Sequence, residues 1–203
     1  MSDDQVFQII LIAAVAILMP IAMYHRIRAM SGEKLDRSRE GAFFLTARVV
    51  LAGPFMLGYM AYLINPEWMA WSALPLPVWL RWLGIAIGVL GGILLVWTFH
   101  TLGKNITDTV VTRKEHSLVI SGPYRWVRHP FYVSLALAVL ANSLATANWF
   151  LFLMGAAVFT MLALRSRIEE ACLIERFGDD YRNYMKRTGR FIPRFGKSTD
   201  VAS

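Results

Sequence analysis

The chain has 203 residues, 56% of them hydrophobic and 17% charged, with 21 lysines and arginines against 14 aspartates and glutamates. Soluble domains carry charge on about a quarter of their residues, so this composition excludes an ordinary water-soluble fold and indicates a membrane protein. The length fits one domain, and the single cysteine, Cys172, excludes both an internal disulfide framework and a multi-cysteine metal site.

The first apolar run, Gln5 to Tyr24, has about the 20 residues that a helix needs to cross a ~30 Å hydrocarbon core. Asp3 and Asp4 stand where a signal peptide would have a positive n-region, and no small-residue cleavage site follows, so the run reads as a retained span. Phe43 to Ile64 is the second run and Val78 to Phe99 the third. Phe131 to Leu164 is too long for one ordinary span and is interrupted near Ala145-Thr146-Ala147-Asn148, which predicts a tight helical hairpin. The expected fold is therefore an all-α integral membrane protein with five crossings, the last two a short hairpin. As a single membrane domain over 1–203, it divides into three N-terminal spans (1–100) and a loop, hairpin and C-terminal segment (101–197).

Orientation follows from lysine and arginine in short loops. The 25–40 segment carries Arg26, Arg28, Lys34, Arg37 and Arg39, and the 101–130 segment carries Lys104, Arg113, Lys114, Arg125 and Arg128. Nine more basic residues lie from Arg165 onward, whereas the 65–77 loop has none. This predicts an inner-membrane protein with its N-terminus outside and its C-terminus cytoplasmic. The net charge of +7 is thereby assigned to loops facing an anionic leaflet rather than to nucleic acid.

Within the spans, Gly84, Gly88, Gly91 and Gly92 give the third helix a small-residue face suited to close helix approach, either within the chain or in a dimer. Trp68, Trp71, Trp79 and Trp82 cluster where an outer aromatic belt belongs. Pro20 and Pro54 are candidate kinks. Arg48 falls about two turns inside an apolar span, where a charge costs roughly 2.5–3.5 kcal/mol unless it snorkels or pairs. It either snorkels to the cytoplasmic interface or faces an anionic group in a cytoplasmic cavity.

The segment His116 to Tyr132 holds most of the chemistry. Gly122-Pro123 marks a turn, and Pro130 suits the first turn of the fourth helix because its missing N–H would have no partner there. The free amides and dipole of that helix start favour an anion such as a carboxylate. Arg125, Arg128 and His129 add donors, and Tyr124, Trp126 and Tyr132 add flat apolar surfaces. The segment reads either as a site for a ligand with a carboxylate and an aromatic base, or as a juxtamembrane loop with arginines on lipid phosphates. At the end of the fifth span, Arg165 and Glu169 share a helix face at i, i+4, with Glu170 about 100° round. This pair reads as a solvated helix end or as a functional carboxylate. Gly178 is a plausible helix stop and Asp179 a restart cap. His25, His100, His116 and His129 are scattered, which argues against a metal site.

These segments resemble the isoprenylcysteine carboxyl methyltransferase family and its bacterial relatives, themselves similar to phospholipid N-methyltransferases. The resemblance rests on Leu118-Val119, Ser121-Gly122, Tyr124, Arg128-His129-Pro130 and Tyr132, then Glu169-Glu170 and Phe177-Gly178-Asp179-Asp180-Tyr181, across roughly residues 100–193. It implies a cytoplasmic pocket for S-adenosylmethionine, formed by the end of the third span, the loop and the C-terminal helices, with no metal, and a lipophilic acceptor entering from the bilayer. The cofactor contacts it implies are Leu118, Val119, Gly122, Tyr124, Arg128, His129, Pro130, Tyr132, Glu169 and Glu170; Arg165 and Glu169 are the candidates for positioning acceptor and methyl group. The acceptor class stays open among a carboxylate, a thiol and an amine. Two other readings differ in class: a nicotinamide-dependent membrane reductase of sterol-like lipids, and a non-enzymatic membrane subunit docking a partner or anionic lipid.

Overall fold

A computed structural model describes residues 2–30, 41–103 and 118–194. His116, Ser117 and the side chain of Arg48 lie outside the described residues. The described residues form five α-helices: α1 (Asp3–Met30), α2 (Gly41–Ile64), α3 (Val78–Leu102), α4 (Pro130–Ala145) and α5 (Trp149–Arg187). Short 3₁₀ helices at Pro66–Ser72 and Gly122–Arg125 lie in the connections. Asp3–His25, Val78–Leu102 and Trp149–Arg187 are long and apolar enough to cross a membrane, and Val49–Ile64 and Pro130–Ala145 are shorter apolar helices.

The expected hairpin is α4 and α5, joined by Thr146, Ala147 and Asn148. Asn148 makes this turn compact. Its side chain accepts from the Leu151 amide (3.0 Å), capping α5, and donates to Ser72 Oγ (2.8 Å) and the Met69 carbonyl (3.3 Å). The hairpin turn is thereby tied to the α2–α3 connection.

The small-residue face of α3 packs within the chain. A Cβ on Gly84 would lie 2.8 Å from Leu144 Cβ and 2.9 Å from the Ala141 carbonyl oxygen, and one on Gly91 would lie 3.0 Å from Leu137 Cβ. Only glycine lets α3 and α4 approach this closely, and Gly88 faces Ala141 on the same seam. Gly92 faces Leu18 of α1 instead.

At the hairpin-turn end, Arg81 joins four helices. Its Nε donates to the Ala145 carbonyl of α4 (2.9 Å), and Nη2 meets Tyr62 Oη of α2 (3.3 Å) and Asp4 Oδ1 of α1 (2.8 Å). The guanidinium also lies 4.1 Å over the Phe7 ring, beside a core of Phe7, Leu11, Tyr59, Tyr62, Met69, Ala145 and Leu151. Arg81 is thus a buried tie among four helices.

α5 has 39 residues, which at 1.5 Å per residue is far more than a bilayer needs. Its apolar part ends at Leu164, and the rest projects beyond it. At Gly178 the backbone leaves helical geometry (φ 55°, ψ −126°), a conformation that favours glycine, so the stop and restart expected there is a bend. Beyond it, the Tyr184 hydroxyl donates to the Tyr124 carbonyl at 2.6 Å, laying the end of α5 against the loop before α4.

Arg81→Met removes the tie while roughly keeping volume, leaves the Ala145 carbonyl without its donor and returns the exposed Asp4 carboxylate to solvent. The expected loss is about 1–3 kcal/mol. Thermal unfolding in detergent checks this: a midpoint within a degree or two of the parent would contradict the four-helix role.

Candidate active site

α4 begins at Pro130, with His129 as its N-cap residue. The Tyr132 and Val133 amides both donate to the His129 carbonyl, at 3.0 and 3.2 Å. Pro130 has no N–H, so this helix start has little left to offer an anion, contrary to the sequence expectation. The donors nearby are side chains.

Those donors converge on Glu170. Its carboxylate, 4% exposed, accepts from Arg128 Nε at 2.8 Å and His129 Nε2 at 3.2 Å, both on Oε1. Arg190 completes the clamp, with Nε 3.3 Å from Oε1 and Nη2 bonded to Oε2. Glu170 lies past the apolar stretch of α5. Burial by itself would raise its carboxyl, but hydrogen bonds from His129, Arg190 and Arg128, with the charge of Arg128, outweigh that and bring it down to about 2. Glu170 therefore stays ionised at neutral pH. An ionised carboxylate only accepts, so its contact with His129 assigns a proton to Nε2.

Glu169 faces the other side of the same imidazole. Its Oε2 accepts from the Tyr132 hydroxyl at 2.8 Å and lies 4.0 Å from His129 Nδ1. At 31% exposed, Glu169 is open where Glu170 is sealed. Arg165 is half-buried one turn earlier on α5.

The aromatic residues build a wall around this pair. The His129 and Tyr132 rings stack with centroids 5.2 Å apart and planes 7° apart. Phe191 packs on both, at 5.7 and 6.4 Å, and on Phe159 of α5 at 6.0 Å. Tyr124 is half-buried behind them, and loss of solvent first, then the negative charge of Glu169, push its hydroxyl well above the ordinary tyrosine range. It stays a neutral phenol. Arg125 is exposed, with its guanidinium 5.0 Å over the Trp126 ring.

Within the C-terminal segment expected at the pocket, no individual residue of 188–191 stands out from sequence. The Arg128 amide donates to the Gly189 carbonyl (2.8 Å), the His129 amide to the Arg190 carbonyl (3.1 Å), and the Gly189 amide to the Trp126 carbonyl (3.3 Å). Arg128 Nη1 also donates to the Met185 and Thr188 carbonyls. The chain after α5 thus forms a strap bonded along the loop. A Cβ on Gly189 would lie 1.7 Å from the Ile192 carbonyl oxygen, so the strap's curl has room only for glycine. The available sequence signal was an arginine between a glycine and an aromatic residue just past a helix end.

Of the residues singled out from sequence, Arg128, His129, Tyr132, Glu169 and Glu170 meet at this site, with Tyr124 behind it and Pro130 starting its helix. Gly122 (φ 57°) serves the turn, where a Cβ would lie 2.5 Å from Thr101 Oγ1 of α3. Leu118 and Val119 are half-buried in the segment leading into that turn.

The family model for isoprenylcysteine carboxyl methyltransferases matches residues 82–175. Protein-S-isoprenylcysteine O-methyltransferases of Mus musculus and Homo sapiens are 32% and 33% identical over 126 and 131 residues, each match covering 61% of this chain and 44% of the relative. A methanethiol S-methyltransferase of Pseudomonas deceptionensis is 30% identical over 156 residues, covering 72% of this chain and 58% of the relative. This chain thus spans about half the length of the curated relatives it matches. Among solved structures, a eukaryotic intramembrane Ras methyltransferase, isoprenylcysteine carboxyl methyltransferase, superposes with a TM-score of 0.54 at 22% identity, over 89% of this chain and 60% of that one. That likeness extends to the fold.

Two substitutions test the site's construction. Glu170→Ala leaves Arg128 and Arg190 facing each other without a counter-charge, and should cost about 3–5 kcal/mol, read as a collapse of monodisperse folded protein or a large fall in thermal midpoint. Gly189→Ala should release the strap, raising the rate of limited proteolysis after Arg187 about tenfold or more while α1 to α5 stay protected. Unchanged cleavage would show that the strap is not held as described.

Proposed function

From the match of residues 82–175 to the isoprenylcysteine carboxyl methyltransferase family model, we propose that this protein is an S-adenosylmethionine-dependent integral-membrane methyltransferase acting on a lipophilic acceptor. The observation that carries the reading is the junction of the two motif halves: Tyr132 bonds Glu169, and Arg128 and His129 bond Glu170, across the α4–α5 hairpin.

The residues present fit the methyl donor. Half-buried Phe191, backed by the stacked His129 and Tyr132 rings, offers an apolar ring face suited to an aromatic base, and Glu169 offers an accessible carboxylate suited to hydroxyls or a cation. Bound S-adenosylmethionine supplies a methyl group on a sulfonium, an activated electrophile with a good leaving group. The chain's own residues then need mainly to hold and orient, which can supply most of such a rate. The clamp on Glu170 fixes the His129 ring, and the Tyr132 hydroxyl fixes Glu169. Arg165 and Glu169, on one face of α5, position acceptor and methyl group. Leu118, Val119 and Tyr124 complete the donor pocket from the loop side.

The acceptor is a carboxylate, thiol or amine on a lipophilic molecule that reaches the site from the bilayer. The five-span topology, with the N-terminus outside and the site on the cytoplasmic face of the inner membrane, follows from the positive loops and is part of the same proposal.

Calorimetry with S-adenosylhomocysteine on the purified, folded chain tests the reading. Binding should be measurable and weakened at least tenfold by His129→Ala and by Glu169→Ala. No binding to folded parent protein, or NADPH binding in its place, would reject it.

A further inference from the structure

Arg190 holds more donors than Glu170 uses. Its Nε and Nη2 form a side-on fork to the Glu170 carboxylate. A guanidinium has five N–H groups, so the end-on fork, one N–H from each terminal nitrogen, remains. Among the described residues Nη1 makes no hydrogen bond, and the side chain is 32% exposed where Arg128, on the same carboxylate, is 9% exposed.

Nor is Arg190 a swinging surface arginine. Its carbonyl takes the His129 amide, Gly189 before it is bonded on both its amide and its carbonyl, and Phe191 after it packs on His129, Tyr132 and Phe159. With backbone, neighbours and one guanidinium edge all fixed, the spare edge is aimed before any ligand arrives. Little side-chain entropy remains to be lost on binding.

The charges around it specify a ligand. Two guanidiniums meet one carboxylate in the clamp, leaving one positive charge in excess. Across the His129 ring, Glu169 Oε1 takes no hydrogen bond among the described residues and carries the opposite sign. A cationic fork and an open carboxylate on opposite sides of one imidazole match the two ends of an α-amino acid.

Resting on the reading of this protein as an S-adenosylmethionine-dependent methyltransferase, we propose that Arg190 is a donor-binding residue whose end-on fork takes the α-carboxylate of the methyl donor's amino-acid end, with Glu170 as the bracket that aims it. An acceptor carboxylate is the other anion with this chemistry, but it exists for only one acceptor class, whereas the donor carboxylate is present in every turnover.

The test compares S-adenosylmethionine with decarboxylated S-adenosylmethionine, which keeps the amine, sulfonium and adenosine. Both are titrated into the full chain in nanodiscs, as parent, Arg190→Gln and Arg190→Lys. In the parent, removing the carboxylate should weaken binding about ten- to a hundredfold, the range of a charge-assisted hydrogen bond. Arg190→Gln should weaken S-adenosylmethionine by a similar factor and leave the decarboxylated ligand within about twofold. Arg190→Lys should fall between. Equal losses for both ligands would make Arg190 a structural support and overturn the assignment, as would no loss for either, or a parent that does not discriminate between them. A folded parent that binds neither ligand rejects the methyltransferase reading itself, a result distinct from each of these.

Discussion

One buried carboxylate organises the site end of this molecule. An ionised Glu170 at 4% exposure is tolerable only if charged, well-placed donors surround it, because an isolated charge in a low-dielectric interior costs several kcal/mol. Its partners come from two segments far apart in sequence: Arg128 and His129 from the loop and cap before α4, and Arg190 from the strap. Each must arrive for the others to be stable. An apolar plug of similar volume would hold the segments together about as well. What the ionic clamp adds is orientation: it fixes which face of His129 and which edge of Arg190 point outward.

Two ties set the register that the clamp requires. At the turn, Arg81 holds the Ala145 carbonyl while Asn148 caps α5 and grips Ser72. At the other end, Tyr132 meets Glu169. The glycine seam of α3 lets α4 lie close enough for the Arg81 guanidinium to reach the last residue of α4. A slip of one residue in α5 would rotate Glu170 by about 100° and expose its charge.

Much of this was legible because it is local. Apolar runs gave the helices, Pro130 gave the start of α4, and Ala145 to Asn148 gave the turn. Gly178 announced the bend, and the loop and Glu169-Glu170 gave the two halves of the site. What escaped depends on long-range placement. The i, i+4 spacing with Arg165 drew attention to Glu169, but nothing periodic distinguishes the glutamate that is sealed from the one left open. Arg190 and Phe191 lie in an irregular strap bonded to residues more than 60 positions earlier, a pairing with no periodicity to detect. The α3 glycines were ambiguous between a neighbour in the chain and a second copy, since both demand small residues; the fit to Leu137, Ala141 and Leu144 of α4 decides for the chain.

The unequal pair of glutamates also bounds the chemistry. Glu170 holds its carboxyl near 2 and spends both oxygens on the clamp, so it neither accepts a proton at neutral pH nor touches a ligand without dismantling its surroundings. Any proton transfer that the proposed reaction requires falls to Glu169, whose Oε2 is engaged by Tyr132 and whose Oε1 is open. A carboxylate acceptor, or a thiol that arrives as thiolate, requires no such transfer, and Glu169 then acts only by position and charge. An amine arriving protonated would make Glu169 the base. Glu169→Gln, assayed at saturating methyl donor because the same carboxylate faces the donor's amino group, separates these cases: it removes the basic oxygen but keeps the shape, so its effect on turnover should be large for a protonated amine and modest for an anionic acceptor.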